Sequence, residues 1–340
     1  MRFFALLLLL LTGPLAAGAD EVGDLGVTIK ANVQVGDRPA VVLMPSVGVA
    51  KVILALEGPS RQTLKAGPVG VGQRKELPLT QGVGAAQWTA NGNVTWADGS
   101  SGTFTLTFET HVFPKIAADL AKRDVDLENR RLTARLNQPC SKIEYRVMGD
   151  DGKVMDEGVR EVDIAAGETI EIEWAQTPGI AVLKIDVKLW SAFNFWVSVE
   201  ITPFEVEIPH EDVEFESGRW AVRPSEVPKL RHTLDLLSEK VARYGGLIKL
   251  QLYVAGYTDR VGSHGSNQEL SEQRARAIGS WFRANGLKLP IYYQGFGESV
   301  LAVETPDETS EARNRRALYV LSAGAPGPQP SVPRQAWRPL

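Results

Sequence analysis

The hydrophobic period changes once along this chain of 340 residues, near residue 208, and that change limits what the chain can fold into. Ahead of it, apolar side chains recur at every second position, in short runs broken by glycine and proline. Beyond it they recur three and four apart in two long stretches, each followed by a run of strand length. A period of two marks a half-buried strand, and a period of 3.6 marks an amphipathic helix. The first two thirds therefore read as β-structure and the last third as mixed α/β.

In the β-region, Val41-Val42-Leu43-Met44 and Val52-Ile53-Leu54-Ala55-Leu56 are short apolar runs. Thr103–Thr110 alternates, with Phe104, Leu106 and Phe108 on one face. Asn91-Gly92 and Asp98-Gly99 read as turn dipeptides. A second β-region spans about 122–206. Leu132, Ala134 and Leu136 alternate, as do Ile170, Ile172 and Trp174, and Leu183, Ile185, Val187 and Leu189. Asp150-Asp151-Gly152 is a hairpin signal, and Trp196–Val206 a further strand signal. Ile116–Ala121, at the boundary, is open to reading as a short helix. Two β-sandwiches are expected, the second Ig-like. A membrane barrel needs repeated strands of ~9–11 residues with a wholly apolar outer face. Leu183–Leu189 fits, but Val27–Val35 and Thr133–Val147 are broken, so soluble sandwiches are expected instead.

Beyond residue 208, Val213 and Phe215 suggest a brief strand. Pro224-Ser225 opens a helix with the stripe Val227, Leu230, Leu234, Leu237 and Val241, stopped by Gly245-Gly246. Ile248–Val254 alternates as a strand. Ser266-x-x-Glu269 has the capping-box pattern and starts a second helix striped by Leu270, Ile278 and Trp281. Strands follow at 291–294 and 317–321. This succession gives a two-layer α/β unit. The tail from Ala323 holds five prolines and is expected to be extended or disordered.

The first residues are an address. One arginine, the run Leu6–Leu11 and Ala17-Gly18-Ala19 before Asp20 describe a secretory signal peptide. The run is too short for the ~20 residues of a spanning helix. No later segment is long and apolar enough to span, and no cysteine follows the cut, which argues against a lipid-anchored start. The expected location is the periplasm, in possible association with the outer membrane. Cys140 is the single cysteine, so no intrachain disulfide can form. A net charge of −4 argues against nucleic acid. The four histidines lack metal-ligand spacing, so no metal and no cofactor are expected. Gly67–Gly72 lacks the Lys-Ser/Thr of a phosphate loop, and Gly262–Ser266 is no nucleophile elbow. Nothing pairs a nucleophile with a base, so no enzyme is expected. Trp190 and Trp196 read as core packing before a sugar or partner surface.

Arg274 is the anomaly. It lies four residues after Leu270 and four before Ile278, on the apolar stripe. A guanidinium there needs a partner, because an unpaired buried charge is costly. Asp259, just past the strand Ile248–Val254, is the nearest candidate. Such a pair is either a structural ion pair or a clamp for a zwitterion, with Asp259 on the ammonium and Arg274 forking the carboxylate.

Four ordered motifs add to this: Gly256-Tyr257-Thr258-Asp259-x-x-Gly262, Asn267-x-x-Leu270-Ser271-x-x-Arg274-Ala275, Gly295-Phe296-Gly297-Glu298 and Asn314-Arg315-Arg316. Together they resemble the OmpA-like peptidoglycan-binding domain family, over roughly residues 210–322. The resemblance implies a fold that holds the peptide stem of peptidoglycan noncovalently. It implies that Asp259 and Arg274 bind the diaminopimelate head group, with Arg315, Asn267 and Thr258 in the same set. Three positions depart from the family pattern. Tyr257 stands where histidine is common, Glu311 where arginine is common, and a proline is absent after Glu298.

The expected organisation is a signal peptide (1–19), a β-sandwich (20–113), an Ig-like sandwich (114–207), the OmpA-like domain (208–322) and a disordered tail (323–340). The expected function is anchoring of the β-domains to the wall, with an unidentified protein partner for those domains. The alternative is an assembly module of a secretion or motility complex with a degenerate wall site, kept open by Glu311 and by the missing proline after Glu298.

Overall fold

A computed structural model describes residues 23–340 except 210, 211, 217, 329, 334 and 335. The expected signal peptide lies outside the described residues, as does His210. No described helix is long and apolar enough to cross a membrane. The chain divides into two compact units, one running to Ala117 and including Phe193–Phe195, the other holding Ala118–Ala192 and Trp196–Leu340.

In the first unit, Val27–Lys30, Ala40–Leu43 and Lys75–Pro78 form a three-stranded sheet. Asn32–Gln34, Ser101–Phe113, Gly84–Trp96, Val49–Glu57 and Gln62–Ala66 form a five-stranded one in that order. Both sheets feed one apolar cluster, where Val41, Leu43 and Leu77 meet Leu54, Trp88 and Phe104. The Trp88 indole N–H is satisfied inside it by the Thr110 hydroxyl at 2.8 Å. Asp98-Gly99 does turn the chain between two thirteen-residue strands. Asn91-Gly92 does not. It lies in mid-strand, Asn91 opposite Thr105 and Gly92 opposite Phe104. A Cβ on Gly92 would stand 2.3 Å from the Phe104 ring, so the glycine makes room for an aromatic ring rather than for a turn.

The second unit opens with two four-stranded sheets. One joins Val125–Asp126, Arg131–Leu136 and Thr169–Glu173, with Ala118–Asp119 also on Arg131–Leu136. The other runs Val154–Ile164, Cys140–Gly149, Val182–Ser191, Trp196–Ile201. The short helix read at Ile116–Ala121 is instead the strand Ala118–Asp119, followed by a 3-10 turn at Lys122–Asp124. The two tryptophans are not core. Trp196 is 52% exposed, and the Lys188 ammonium lies 4.2 Å over the Trp190 ring and 4.4 Å over Trp196. The two indoles stand opposite each other on adjacent strands, on a face that carries charge, and cation–π contact replaces burial.

The rest of the unit is the α/β layer, whose elements are β1 (Glu205–Glu207), α1 (Val227–Tyr244), β2 (Gln251–Gly256), α2 (His264–Ala284), β3 (Ile291–Gly295), β4 (Ala317–Ser322) and β5 (Arg338–Pro339). The sheet order is β1-β4-β2-β3-β5. The β2–β3 pair is parallel and the other pairs antiparallel. Val213 and Phe215, read as a brief strand, form none, and the sheet edge is β1. Leu230 and Leu237 of α1 and Ala275, Ile278 and Phe282 of α2 pack on Leu252 and Val254. α2 starts earlier than Ser266-x-x-Glu269 suggests. Ser263 caps it by accepting the Ser266 amide at 3.3 Å, so Ser266 is the recipient of a cap and not its donor. In the tail, expected to be extended or disordered, Arg338–Pro339 form an edge strand, and the Leu340 amide reaches the Ile291 carbonyl at 3.0 Å. Val332 is 2% exposed on the sheet face away from the helices.

Candidate functional site

Two glycines set the site. A Cβ on Gly256, the last residue of β2, would stand 2.2 Å from the Ser271 carbonyl oxygen. One on Gly295, the last of β3, would stand 2.4 Å from the Glu272 nitrogen. Without those side chains α2 lies against the carboxyl ends of two adjacent parallel strands. Ser271 then accepts the Gly297 amide at 2.9 Å. The loop after β2, the first turns of α2 and the loop after β3 converge at this edge.

Asp259 sits there, 6% exposed. Its Oδ2 accepts from Arg315 Nη1 at 2.6 Å and from the Glu311 amide at 3.3 Å. Thr258 donates its amide to the Gly297 carbonyl at 2.9 Å. Its hydroxyl is buried and has no hydrogen-bond partner among the described residues. Asn267, 3% exposed, donates from Nδ2 to the Asp259 carbonyl at 3.3 Å and to Glu298 Oε2 at 2.5 Å. Glu298 also stands 3.4 Å from His264 Nδ1. Asn314 is fully buried and bonds Ala302 N, Val303 N and the Val303 carbonyl, which fixes the turn that delivers Arg315.

Arg274 is 7% exposed on its stripe. Its Nε donates to the Arg219 carbonyl at 3.2 Å and its Nη2 to the Glu216 carbonyl at 3.5 Å, while the Phe215 ring lies 5.0 Å from the guanidinium carbon. Burial pushes its pKa down, and the Asp259 charge opposes that. The expected direct pair between Asp259 and Arg274 is not what forms. The ion partner of Asp259 is Arg315, and Arg274 is coupled to Asp259 only through space. What links them is Arg315, the ion partner of Asp259, which lines the same cavity as Arg274. That cavity, of about 270 Å³, is also lined by Asp212, Glu214, Phe215, Gly256, Tyr257, Arg313 and Arg316.

Glu311 does not turn its charge on the cleft alone. Its carboxylate takes Arg313 Nε at 3.0 Å and Nη2 at 2.9 Å, and these bonds hold its pKa down at about 2. Arg313, two residues on, restores the basic charge that Glu311 displaces. Sequence reading had noted Glu311 but not this compensation. It also passed over Phe215, read as strand, and Glu298, quoted within its motif without a role. The one signal for Glu298 was its place directly after the Gly-Phe-Gly run.

Residues 215–315 match the model of the OmpA family. The chain is 31% identical over 98 residues to the outer-membrane lipoprotein YfiB of Pseudomonas aeruginosa, covering 28% of this chain and 56% of that protein. It is 28% identical over 115 residues to outer membrane porin F of Pseudomonas fluorescens, covering 34% of this chain and 33% of that one. The match to outer membrane protein A of Klebsiella pneumoniae is 34% over 89 residues, 26% of this chain and 24% of the relative. The chain thus spans a third or less of the length of the latter two. Among solved structures, the peptidoglycan-associated lipoprotein from Burkholderia pseudomallei aligns at a TM-score of 0.28 and 22% identity, over 32% of this chain and 88% of that one. The cell wall anchor of the T6SS from Pseudomonas aeruginosa aligns at 0.28 and 20%, over 42% and 85%.

Proposed function

We propose, from an OmpA-family domain at residues 215–315, that this chain binds peptidoglycan noncovalently and performs no chemistry on it. The ligand is the diaminopimelate of a stem peptide. Its ammonium goes to Asp259, and its carboxylate to the fork of Arg274, with Arg315, Asn267 and Thr258 completing the set. The observation that carries this reading is a carboxylate and a guanidinium, each more than nine-tenths buried, at one strand-end cleft. Two buried opposite charges that form no direct ion pair with each other suit a ligand that carries both signs. The free Thr258 hydroxyl supplies one more hydrogen-bonding group beside Asp259.

The N-terminal sheets are read as two β-sandwiches, the second Ig-like, displaying a surface for a protein partner near the wall. The location is the periplasm, in line with relatives named for the outer membrane. The alternative, an assembly module with a degenerate wall site, drew on Glu311 and on the missing proline after Glu298. The pairing of Arg313 with Glu311 weakens the first of these grounds.

Sedimentation with purified sacculi tests the proposal. Wild type pellets and is released by free diaminopimelate, whereas folded Asp259→Ala stays in solution. Failure of wild type to pellet refutes the wall reading. Equal pelleting of both refutes the site.

A further inference from the structure

We propose that Tyr257 is a positioning residue for the Asp259–Arg315 end of the cleft and that it acts by gripping the C-terminal tail. The ligand named in the test rests on the peptidoglycan reading, but the coupling itself does not.

Tyr257 separates two regions. On one side its neighbours in sequence are Thr258 and Asp259. On the other its hydroxyl donates to the Ser331 carbonyl of the tail. The ring is 1% exposed, stacked on Phe296 at 5.4 Å and covered by the Arg316 guanidinium at 4.1 Å. Burial pushes the phenol pKa well up, so the hydroxyl keeps the proton it donates. The Tyr257 amide donates to the Arg316 carbonyl at 2.9 Å. One residue therefore fixes the backbone before Asp259 and the backbone after Arg315, the two partners of the 2.6 Å pair.

The tail is built to be gripped. Val332 packs with Ala255, Tyr257, Phe296 and Leu318, and Trp337 lies against that group. Trp337 stands edge-on to Tyr253 at 5.0 Å and to Phe296 at 6.1 Å. Arg338 pairs with Glu272 on α2. The Val332 and Trp337 contacts cover the sheet face opposite the helices, which a two-layer unit leaves to solvent, and the Arg338 pair ties the tail to α2. Tyr257 is the residue of that face nearest the cleft in sequence.

The test uses full-length Tyr257→Phe, which keeps the ring and loses the bond to Ser331, and Trp337→Ala, which loosens the tail without touching the cleft. Hydrogen exchange is followed at the Thr258 and Glu311 amides, which hold the Gly297 carbonyl and Asp259. Affinity for free diaminopimelate is measured alongside. The expected result is faster exchange at those two amides in both variants, with the α1 and α2 amides unchanged. A merely structural role would move the helices as well. Affinity falls about fivefold, the scale of one neutral hydrogen bond. Exchange unchanged at Thr258 and Glu311 in both variants overturns the proposal, whatever binding does. Altered exchange with no binding even by wild type supports the coupling and removes the ligand reading instead.

Discussion

Arg315 reaches Asp259 from 56 positions away in sequence, which is why no local pattern announced the pair. Asp259 and Arg274 were legible because each breaks a rule within its own element. One is an acid at a strand end, the other a base on an apolar stripe. Partnership was not legible, since it depends on a turn fixed by the buried Asn314. At Arg274, charge and shape separate cleanly. Arg274→Lys keeps the charge and loses the fork, and diaminopimelate affinity is expected to drop at least about tenfold with little change in melting temperature. Titration calorimetry and thermal melting check the two halves. Glu311 gives a second prediction. Its folded pKa lies near 2, below the ordinary value of 4.5. The pair with Arg313 is therefore intact above about pH 4.5 and is lost only as pH falls towards 2. Carboxyl NMR should show Glu311 titrating near 2, and Arg313→Ala should move that midpoint up towards 4.5.

Elements were read correctly where periodicity was long, and misread where a short motif competed with context. The stripe of α1 and the strands β2, β3 and β4 stand in the structure within a few residues of where they were read, the strands buried on both faces. The start of α2 was displaced because Ser263 and Ser266 both offer a cap, and only the backbone decides which side chain accepts. Ser263→Ala should cost about 1 kcal/mol in chemical denaturation, and Ser266→Ala less. Asn91-Gly92 failed as a turn for a steric reason that sits on the partner strand. Gly92→Ala forces a methyl into the Phe104 ring and should cost about 1–3 kcal/mol. Phe104→Leu in the same chain should recover part of that loss. Additive losses in the double variant would show that the ring is not what Gly92 makes room for.

At the scale of the molecule, two units with separate internal packing make separate melting the natural expectation. Calorimetry should resolve two transitions, and diaminopimelate should raise only the one that carries Asp259. A single transition moved as a whole by ligand would show the two units unfolding as one. The cleft itself has a consequence for kinetics. Arg274, Arg313, Arg315 and Arg316 line it with Asp212 and Glu214, and Asp259 and Glu311 pair with Arg315 and Arg313 beside it, so these groups bring four charges of each sign. Such a set has strong fields at contact and almost none at a distance. A zwitterion approaching it is neither drawn in nor turned away from afar. Its association rate should therefore hardly change between dilute and concentrated salt, and the screening of an ionic medium would act on how long it stays rather than on how often it arrives.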